Sequence, residues 1–94
     1  MFLVVGLGNP GKEYANNRHN IGFQYIDFIA EHYKVSWHNK NKFNAQISDI
    51  FEIDGVKILL CKPQTYMNLS GEAVQLITNF YKIKLQNILS ELSK

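Results

Sequence analysis

Phe2-Leu3-Val4-Val5-Gly6-Leu7-Gly8-Asn9-Pro10-Gly11 combines a strand signal with a loop signal at the start of the 94-residue chain. Residues 2–7 form a continuous apolar run with two adjacent valines, a pattern typical of a strand buried on both faces. Residues 8–11 contain two glycines and a proline, so they are predicted to form a loop. A strand that is buried on both faces needs a packed layer on either side, which indicates an α/β fold.

Downstream of this strand, the pattern of apolar residues predicts a helix and then a hairpin. The helix is expected over residues 20–34, where apolar side chains recur at helical spacing. Residues 35–44 are polar and basic, and we interpret them as a connection. Residues 45–53 are predicted to form a strand, which the turn former Asp54-Gly55 joins to a second strand over residues 56–61.

The second half of the chain predicts another helix and then an ambiguous tail. The helix begins near Ser70, and its apolar residues lie on one face: Ala73, Val74, Ile77, Phe80 and Tyr81. Residues 85–94 fit a helical period, yet Ile88-Leu89 could equally begin a strand. The order β-α-β-β-α predicts an α/β fold, with a mixed sheet sandwiched by helices, in a single domain that spans residues 1–94.

Composition limits the classes of function that the chain can have. It is 46% hydrophobic with a net charge of +2, which is mildly basic and too weak for nucleic-acid binding by charge alone. Cys61 is the single cysteine, so no internal disulfide is possible, and its place in the apolar run 56–61 predicts a small buried residue rather than a reactive thiol. No signal peptide is predicted, and no apolar run approaches the ~20 residues of a membrane span. We therefore expect a cytoplasmic protein without membrane partners.

Gly6, Gly8 and Gly11 match the spacing of a dinucleotide-binding loop, in which glycines let the backbone approach a pyrophosphate. Pro10 removes an N–H group from that loop, and the predicted helix starts well after Gly11. The acidic residue expected after a second strand is also missing, since Asp27 falls inside the predicted helix. Nucleotide binding therefore remains a weak alternative.

Polar residues cluster between the first strand and the first helix, where α/β proteins form their sites. They are Asn9, Tyr14, Arg18, His19 and Asn20. Histidine titrates near neutrality and is the commonest general base, and the positive end of a helix dipole favours its neutral form. The alternative is that His19 is a surface histidine without a function.

A second polar segment, residues 63–71, lies between the last hairpin strand and the second helix. The amide of Asn68 can donate hydrogen bonds to a developing oxyanion. Tyr66 offers a face for stacking a base or ribose, and Met67 can fill an apolar pocket. The alternative is structural, with Tyr66 and Met67 in the core and Asn68 capping the helix.

Both segments resemble the signatures of bacterial peptidyl-tRNA hydrolase. The first is Val4-Val5-Gly6-Leu7-Gly8-Asn9-Pro10-Gly11 with Tyr14 and Arg18-His19-Asn20-Ile21-Gly22, and the second is Lys62-Pro63-Gln64-Thr65-Tyr66-Met67-Asn68-Leu69-Ser70-Gly71. The resemblance extends from residue 1 to about residue 89. It implies hydrolysis of the ester that joins a peptide to the 3′ end of tRNA, without a cofactor or a metal ion.

The resemblance also implies roles for individual residues. His19 corresponds to the general base, Asn68 to the residue that holds the substrate and polarises its carbonyl, and Asn9 to the contact with the peptide's first amide. Tyr14 and Tyr66 would contact the terminal nucleotide of the tRNA, and Met67 would line the pocket.

The end of the sequence departs from the family pattern. In the family, the strand after the second helix leads to an aspartate that orients the histidine, but Ser90-Glu91-Leu92-Ser93-Lys94 does not follow that pattern. We therefore expect a fold that is incomplete relative to the family, with an exposed sheet edge through which the chain could self-associate. The alternative function is a non-catalytic, tRNA-binding remnant of the enzyme.

Overall fold

The computed structural model describes residues 1–8, 21–65 and 69–91. These residues form two helices and six strands. The helices are α1, Ile21–His32, and α2, Ser70–Tyr81; the strands are β1, Phe2–Gly6, β2, Trp37–Lys40, β3, Ala45–Ser48, β4, Phe51–Ile53, β5, Val56–Pro63, and β6, Ile88–Glu91. Single turns of 3₁₀ helix cover Asn41–Phe43 and Leu85–Asn87.

Within the described residues, all six strands belong to one open sheet. Its order is β2-β3-β5-β1-β6, and β4 also pairs with β5. The central strand β1 runs parallel to both neighbours, with Leu3 beside Leu59 on one side and beside Ile88 on the other. The other pairings are antiparallel. The predicted α/β fold with a mixed sheet is therefore confirmed.

The two helices cover opposite faces of this sheet. Leu3, Val5, Leu59 and Cys61 point to one face, where they pack in a buried cluster with Ala73 and Ile77 of α2. The opposite face carries a smaller buried cluster, in which Leu60 packs against Ile26 and Ala30 of α1. Alternation along the strands thus places apolar side chains on both faces, as the continuous apolar run of β1 predicted for that strand.

The hairpin turn forms as predicted, but the strand before it is not continuous. Asp54 and Gly55 both have positive φ, 51° and 81°. Positive φ at both central residues is what a two-residue type I′ hairpin turn requires. The predicted strand over residues 45–53 is wrong because a β-bulge divides it into β3 and β4. Ile47 pairs with Cys61 whereas Phe51 pairs with Ile58, so the β3–β4 side holds one extra residue.

Side-chain hydrogen bonds explain the bulge. The backbone N–H of Leu60 donates to the hydroxyl of Ser48 at 2.9 Å, in place of a strand partner. The Ser48 hydroxyl in turn donates to the carbonyl of Asp49. The Asp49 N–H turns away from β5 and donates to the Ser36 carbonyl at 3.0 Å. The N–H groups of Leu60 and Asp49 therefore both have acceptors at the break.

Two further predictions are corrected by the structure. Residues 35–44 are not only a connection, because β2 pairs with β3 along the edge of the sheet and Trp37 packs against the α1 cluster. The helix predicted to reach residue 34 ends at His32, where the chain turns through a positive φ of 56° at Lys34. The ambiguous tail forms a strand, because β6 finds a parallel partner in β1.

Candidate functional site

The side chains predicted to act on a substrate lie outside the described residues. They belong to residues 9–20 and 66–68: Asn9, Tyr14, His19, Tyr66, Met67 and Asn68. The expectation that Asn9, His19 and Asn68 line one crevice therefore stays a prediction. The structure does describe the strands and helices that lead into and out of both segments.

Three parallel strands end at the same edge of the sheet. Val5 lies beside Cys61, and Gly6 lies beside Glu91, so β1, β5 and β6 terminate in a row. Residues 9–20 follow β1 in the chain, and residues 66–68 follow β5. Both signature segments therefore start from neighbouring strands at the carboxyl edge, where open α/β sheets bind their ligands.

Gly6 lets α1 pack directly on the end of β1. A Cβ atom at this position would collide with Cγ1 of Ile26 and with the carbonyl oxygen of Gly22. One glycine of the apparent dinucleotide motif is thus explained by contact between a helix and a strand, without any phosphate. This close approach also places the first turn of α1 at the carboxyl edge.

Lys62 is the second-to-last residue of β5. It contacts α1 and β2, which the sequence did not lead us to expect. Its Nζ lies 2.5 Å from Oδ1 of Asp27 in α1, and its side chain is only 12% exposed. The same Nζ lies 4.3 Å from the centre of the Trp37 ring in β2. The signal available in the sequence was alternation along β5, because Lys62 follows Ile58 and Leu60 on the face that meets α1.

The second segment is also held where it leaves β5. The Gln64 N–H donates to the carbonyl of Asn44 at 2.8 Å, and Asn44 itself has a left-handed φ of 51°. The hydroxyl of Thr65 is buried and has no hydrogen-bond partner among the described residues. After residues 66–68 the chain enters α2 at Ser70, without a side-chain cap at Leu69. The turn at Asn44 therefore anchors the entry to this segment.

Other groups that could carry chemistry lie in inert or peripheral positions. Cys61 is fully buried, and burial raises the pKa of its thiol to about 12, which confirms its predicted role as an apolar residue. His38 and Asp49 form an exposed ion pair beside the bulge, with 2.6 Å between Nε2 and Oδ1. Within residues 1–8, 21–65 and 69–91, no group of three potential ligands could hold a metal ion. No helix in the described parts of the chain is long and apolar enough to cross a membrane.

The chain resembles known proteins along most of its length. A family model described as peptidyl-tRNA hydrolase matches residues 3–90. A peptidyl-tRNA hydrolase from Clostridium novyi is 53% identical over 89 residues, covering 95% of this chain and 46% of its own length. One from Bartonella quintana is also 53% identical over 89 residues, covering 95% of this chain and 45% of its own length.

Solved structures give the same result at the level of the fold. The crystal structure of peptidyl-tRNA hydrolase from Acinetobacter baumannii superposes with a TM-score of 0.89 at 41% identity. The match covers 96% of this chain and 45% of that chain. The chain thus spans about half the length of the relatives that it matches. Sequence identity, the family model and the arrangement of the strands agree, and the chain belongs to the peptidyl-tRNA hydrolase family.

Proposed function

We propose that this protein hydrolyses the ester bond between a peptide and the 3′ end of tRNA, and so recycles tRNA from stalled translation. The observation that carries the proposal is the position of β1 and β5, which end side by side at the carboxyl edge. The first signature segment follows one of these strands and the second follows the other. A base from one segment and hydrogen-bond donors from the other can therefore act on one substrate.

In the proposed reaction, His19 is the general base. It takes a proton from a water molecule as the water oxygen attacks the carbonyl carbon of the ester. The amide of Asn68 donates a hydrogen bond to the carbonyl oxygen, which becomes negatively charged in the transition state. The bond to the ribose 3′ oxygen then breaks, and that oxygen leaves with a proton that returns from the histidine.

The remaining signature residues would bind the two ends of the substrate. Asn9 contacts the first amide of the peptide, which distinguishes peptidyl-tRNA from aminoacyl-tRNA because the latter has no such amide. Tyr14 and Tyr66 contact the terminal nucleotide, where an aromatic ring can stack on a base or ribose. Met67 lines the pocket beside them.

The proposal also covers the cellular compartment, the need for a cofactor and the association of the protein with a second chain. Its substrate is a product of translation, so we place its action in the cytoplasm, with the 94 residues acting as one domain. No metal ion or organic cofactor is required, because positioning, a base and oxyanion donors suffice for ester hydrolysis. Among the described residues β6 pairs only with β1, so its other side is an edge at which a second chain could pair.

A single-turnover assay with saturating N-acetyl-aminoacyl-tRNA tests the function. Loss of a general base typically lowers the rate by about 10²- to 10⁴-fold, so His19→Ala should reduce hydrolysis by a factor in that range. His32→Ala is the matched control, because His32 is an exposed histidine at the far end of α1. We expect this control to retain the unmodified rate.

Two further measurements complete the test. The full-length Clostridium novyi relative should be faster than the 94-residue polypeptide, because residues 90–94 do not follow the family pattern that leads to the orienting aspartate. Histidine without such a partner loses up to about 10⁴-fold in the serine-protease template. If the chain binds tRNA but His19→Ala hydrolyses as fast as the unmodified protein, the catalytic proposal fails and the protein is an RNA-binding module.

A further inference from the structure

Lys62 belongs to the second signature and lies next to the edge where tRNA is proposed to bind. A lysine in that place would ordinarily be assigned to a phosphate of the substrate. Its side chain instead lies against α1, with Nζ 2.5 Å from Oδ1 of Asp27. Only 12% of the Lys62 side chain is exposed, whereas 52% of the Asp27 side chain is. The charge of Lys62 is therefore already paired within the protein.

Trp37 supplies a second contact to the same ammonium group. Its ring lies in β2, two strands away from β5 in the sheet, and Nζ stands 4.3 Å from the ring centre. The face of an indole ring attracts a cation, most strongly where water is largely excluded. Lys62 consequently links β5, β2 and α1 through one charged atom.

The contact with Asp27 has a counterpart at the preceding turn of α1. Val5 and Cys61 are register partners, so Gly6 and Lys62 are the next residues along two neighbouring strands. The backbone of Gly22 packs closely against Gly6. The first two turns of α1 are thus fixed to β1 through Gly22 and to β5 through Asp27.

We propose that Lys62 is a positioning residue, which holds the start of α1 against the strand ends, and that it does not bind a phosphate of the substrate. The inference rests on the proposed function, in which His19 is the base. His19 stands two residues before Ile21 in the chain. The placement of the first turn of α1 therefore governs where the backbone of His19 can lie.

The test compares Lys62→Met and Asp27→Asn in the single-turnover assay. Lys57→Met is the matched control, because Lys57 is an exposed lysine on the same strand. The saturated rate, the substrate concentration at half-saturation and the salt dependence of affinity are measured for each variant, below its melting temperature.

Misplacing a reacting group by about 1 Å can cost about 10²-fold, so both variants should lower the saturated rate by about tenfold to a hundredfold. Half-saturation and salt dependence should stay unchanged, and Lys57→Met should match the unmodified protein. Lys62→Arg should restore most of the rate, because a guanidinium can pair with Asp27 and stack on Trp37.

A phosphate ligand would give the opposite pattern. Lys62→Met would then raise the half-saturation concentration and reduce the slope of log affinity against log salt by about 0.7 to 0.9. Asp27→Asn would leave the rate unchanged or strengthen binding, because it releases the lysine. Either this pattern or unchanged rates in both variants would overturn the inference.

Amide hydrogen exchange separates this inference from the proposed function. If the unmodified chain shows no hydrolysis at all, the proposed function fails, and the exchange rates of residues 25–30, whose N–H groups are hydrogen-bonded within α1, test the role of Lys62. Faster exchange there in Lys62→Met and Asp27→Asn, with Lys57→Met unchanged, supports the anchoring of α1. Equal exchange in all four proteins refutes it.

Discussion

The two faces of the sheet are held to their helices by different kinds of contact. The face under α2 is a contiguous apolar cluster, which takes in Leu3, Leu59 and Ile77 together with Phe43 from the 3₁₀ turn. The face under α1 has a fully buried cluster of three residues, Ile26, Ala30 and Leu60, within the described parts of the chain. Partly buried apolar side chains surround that cluster, and the α1 face also carries the ion pair between Lys62 and Asp27.

We infer that the α2 face mainly provides stability, whereas the α1 face also fixes the position of its helix. Apolar burial is non-directional, so the α2 face can supply stability without fixing the helix to within an ångström. The contact between Lys62 and Asp27 is directional, because its geometry depends on where α1 lies. The helix that follows the candidate base is held by such a directional contact.

Leu59 and Leu60 allow the largest test of this comparison. They are adjacent, both fully buried, and they point to opposite faces. Substitution of a buried leucine by alanine costs about 2 to 5 kcal/mol, and more where the surroundings cannot collapse. We expect Leu59→Ala to lower the free energy of unfolding by about 1 kcal/mol more than Leu60→Ala, because the α2 face is the more closely surrounded.

Urea denaturation monitored by circular dichroism measures both variants. Equal losses, or a larger loss for Leu60→Ala, would show that the two faces contribute alike to stability. The comparison between the faces would then have to be abandoned.

Two glycines differ in what surrounds them, and Gly6 tests how closely α1 approaches the sheet. An alanine at Gly6 would meet Ile26 and the backbone of Gly22, whereas an alanine at Gly71 in α2 would meet nothing within 4 Å. Overpacking typically costs about 1 to 3 kcal/mol, and we expect Gly6→Ala to destabilise the fold by that amount. Gly71→Ala should instead stabilise the fold by up to about 1 kcal/mol. Alanine has fewer backbone conformations than glycine in the unfolded chain, so it loses less entropy when α2 forms.

Thermal unfolding of the Gly6→Ala and Gly71→Ala variants measures these two changes in stability. A Gly6→Ala protein as stable as the unmodified one would mean that α1 can move away from β1 without loss. In that case the fixed position of α1, and not only its stability, would be in question.

The smallest expected effect concerns an ion pair that lies beside the bulge. The hydrogen bond from His38, followed by that from the Ser36 N–H, holds the pKa of Asp49 below its usual value. A group whose pKa is lower in the folded state stabilises the fold above its unfolded pKa, and this contribution is lost as the pH falls through the folded value. The stability of the β2 edge should therefore decrease on acidification.

Melting temperatures between about pH 6 and about pH 2.5 test this effect. Asp49→Asn should melt with a weaker pH dependence than the unmodified protein, while Glu52→Gln, an exposed acid on β4, serves as the control. An identical pH dependence in Asp49→Asn and the unmodified protein would exclude a contribution from this pair.

Local signals in the sequence were sufficient for about half of the fold. The apolar run of β1, the Asp54-Gly55 turn and the apolar face of α2 each act through neighbouring residues, and all three appear as expected. The bulge could not be predicted, because it depends on a hydrogen bond that the Ser48 hydroxyl accepts from the N–H of Leu60 on another strand. β2 was missed because an edge strand needs few apolar residues.

The candidate site was predicted through its two signatures, and its side chains lie outside the described residues. What the structure adds is the arrangement of the strands that carry them. The burial of Lys62 was not predicted, because a lysine in a polar signature segment suggests a surface charge. Its pairing with Asp27 depends on α1 crossing β5, which no short sequence window contains.

The parallel pairing of β1 bears on the order in which the chain folds. The β4–β5 hairpin joins residues that are close in sequence, whereas Leu3 must meet Leu59 and later Ile88. Contacts between distant residues form slowly, because the intervening loop must close first. β1 therefore leaves the ribosome before both of the strands that flank it. Full protection of the β1 amides from hydrogen exchange should appear only after β6 has been synthesised.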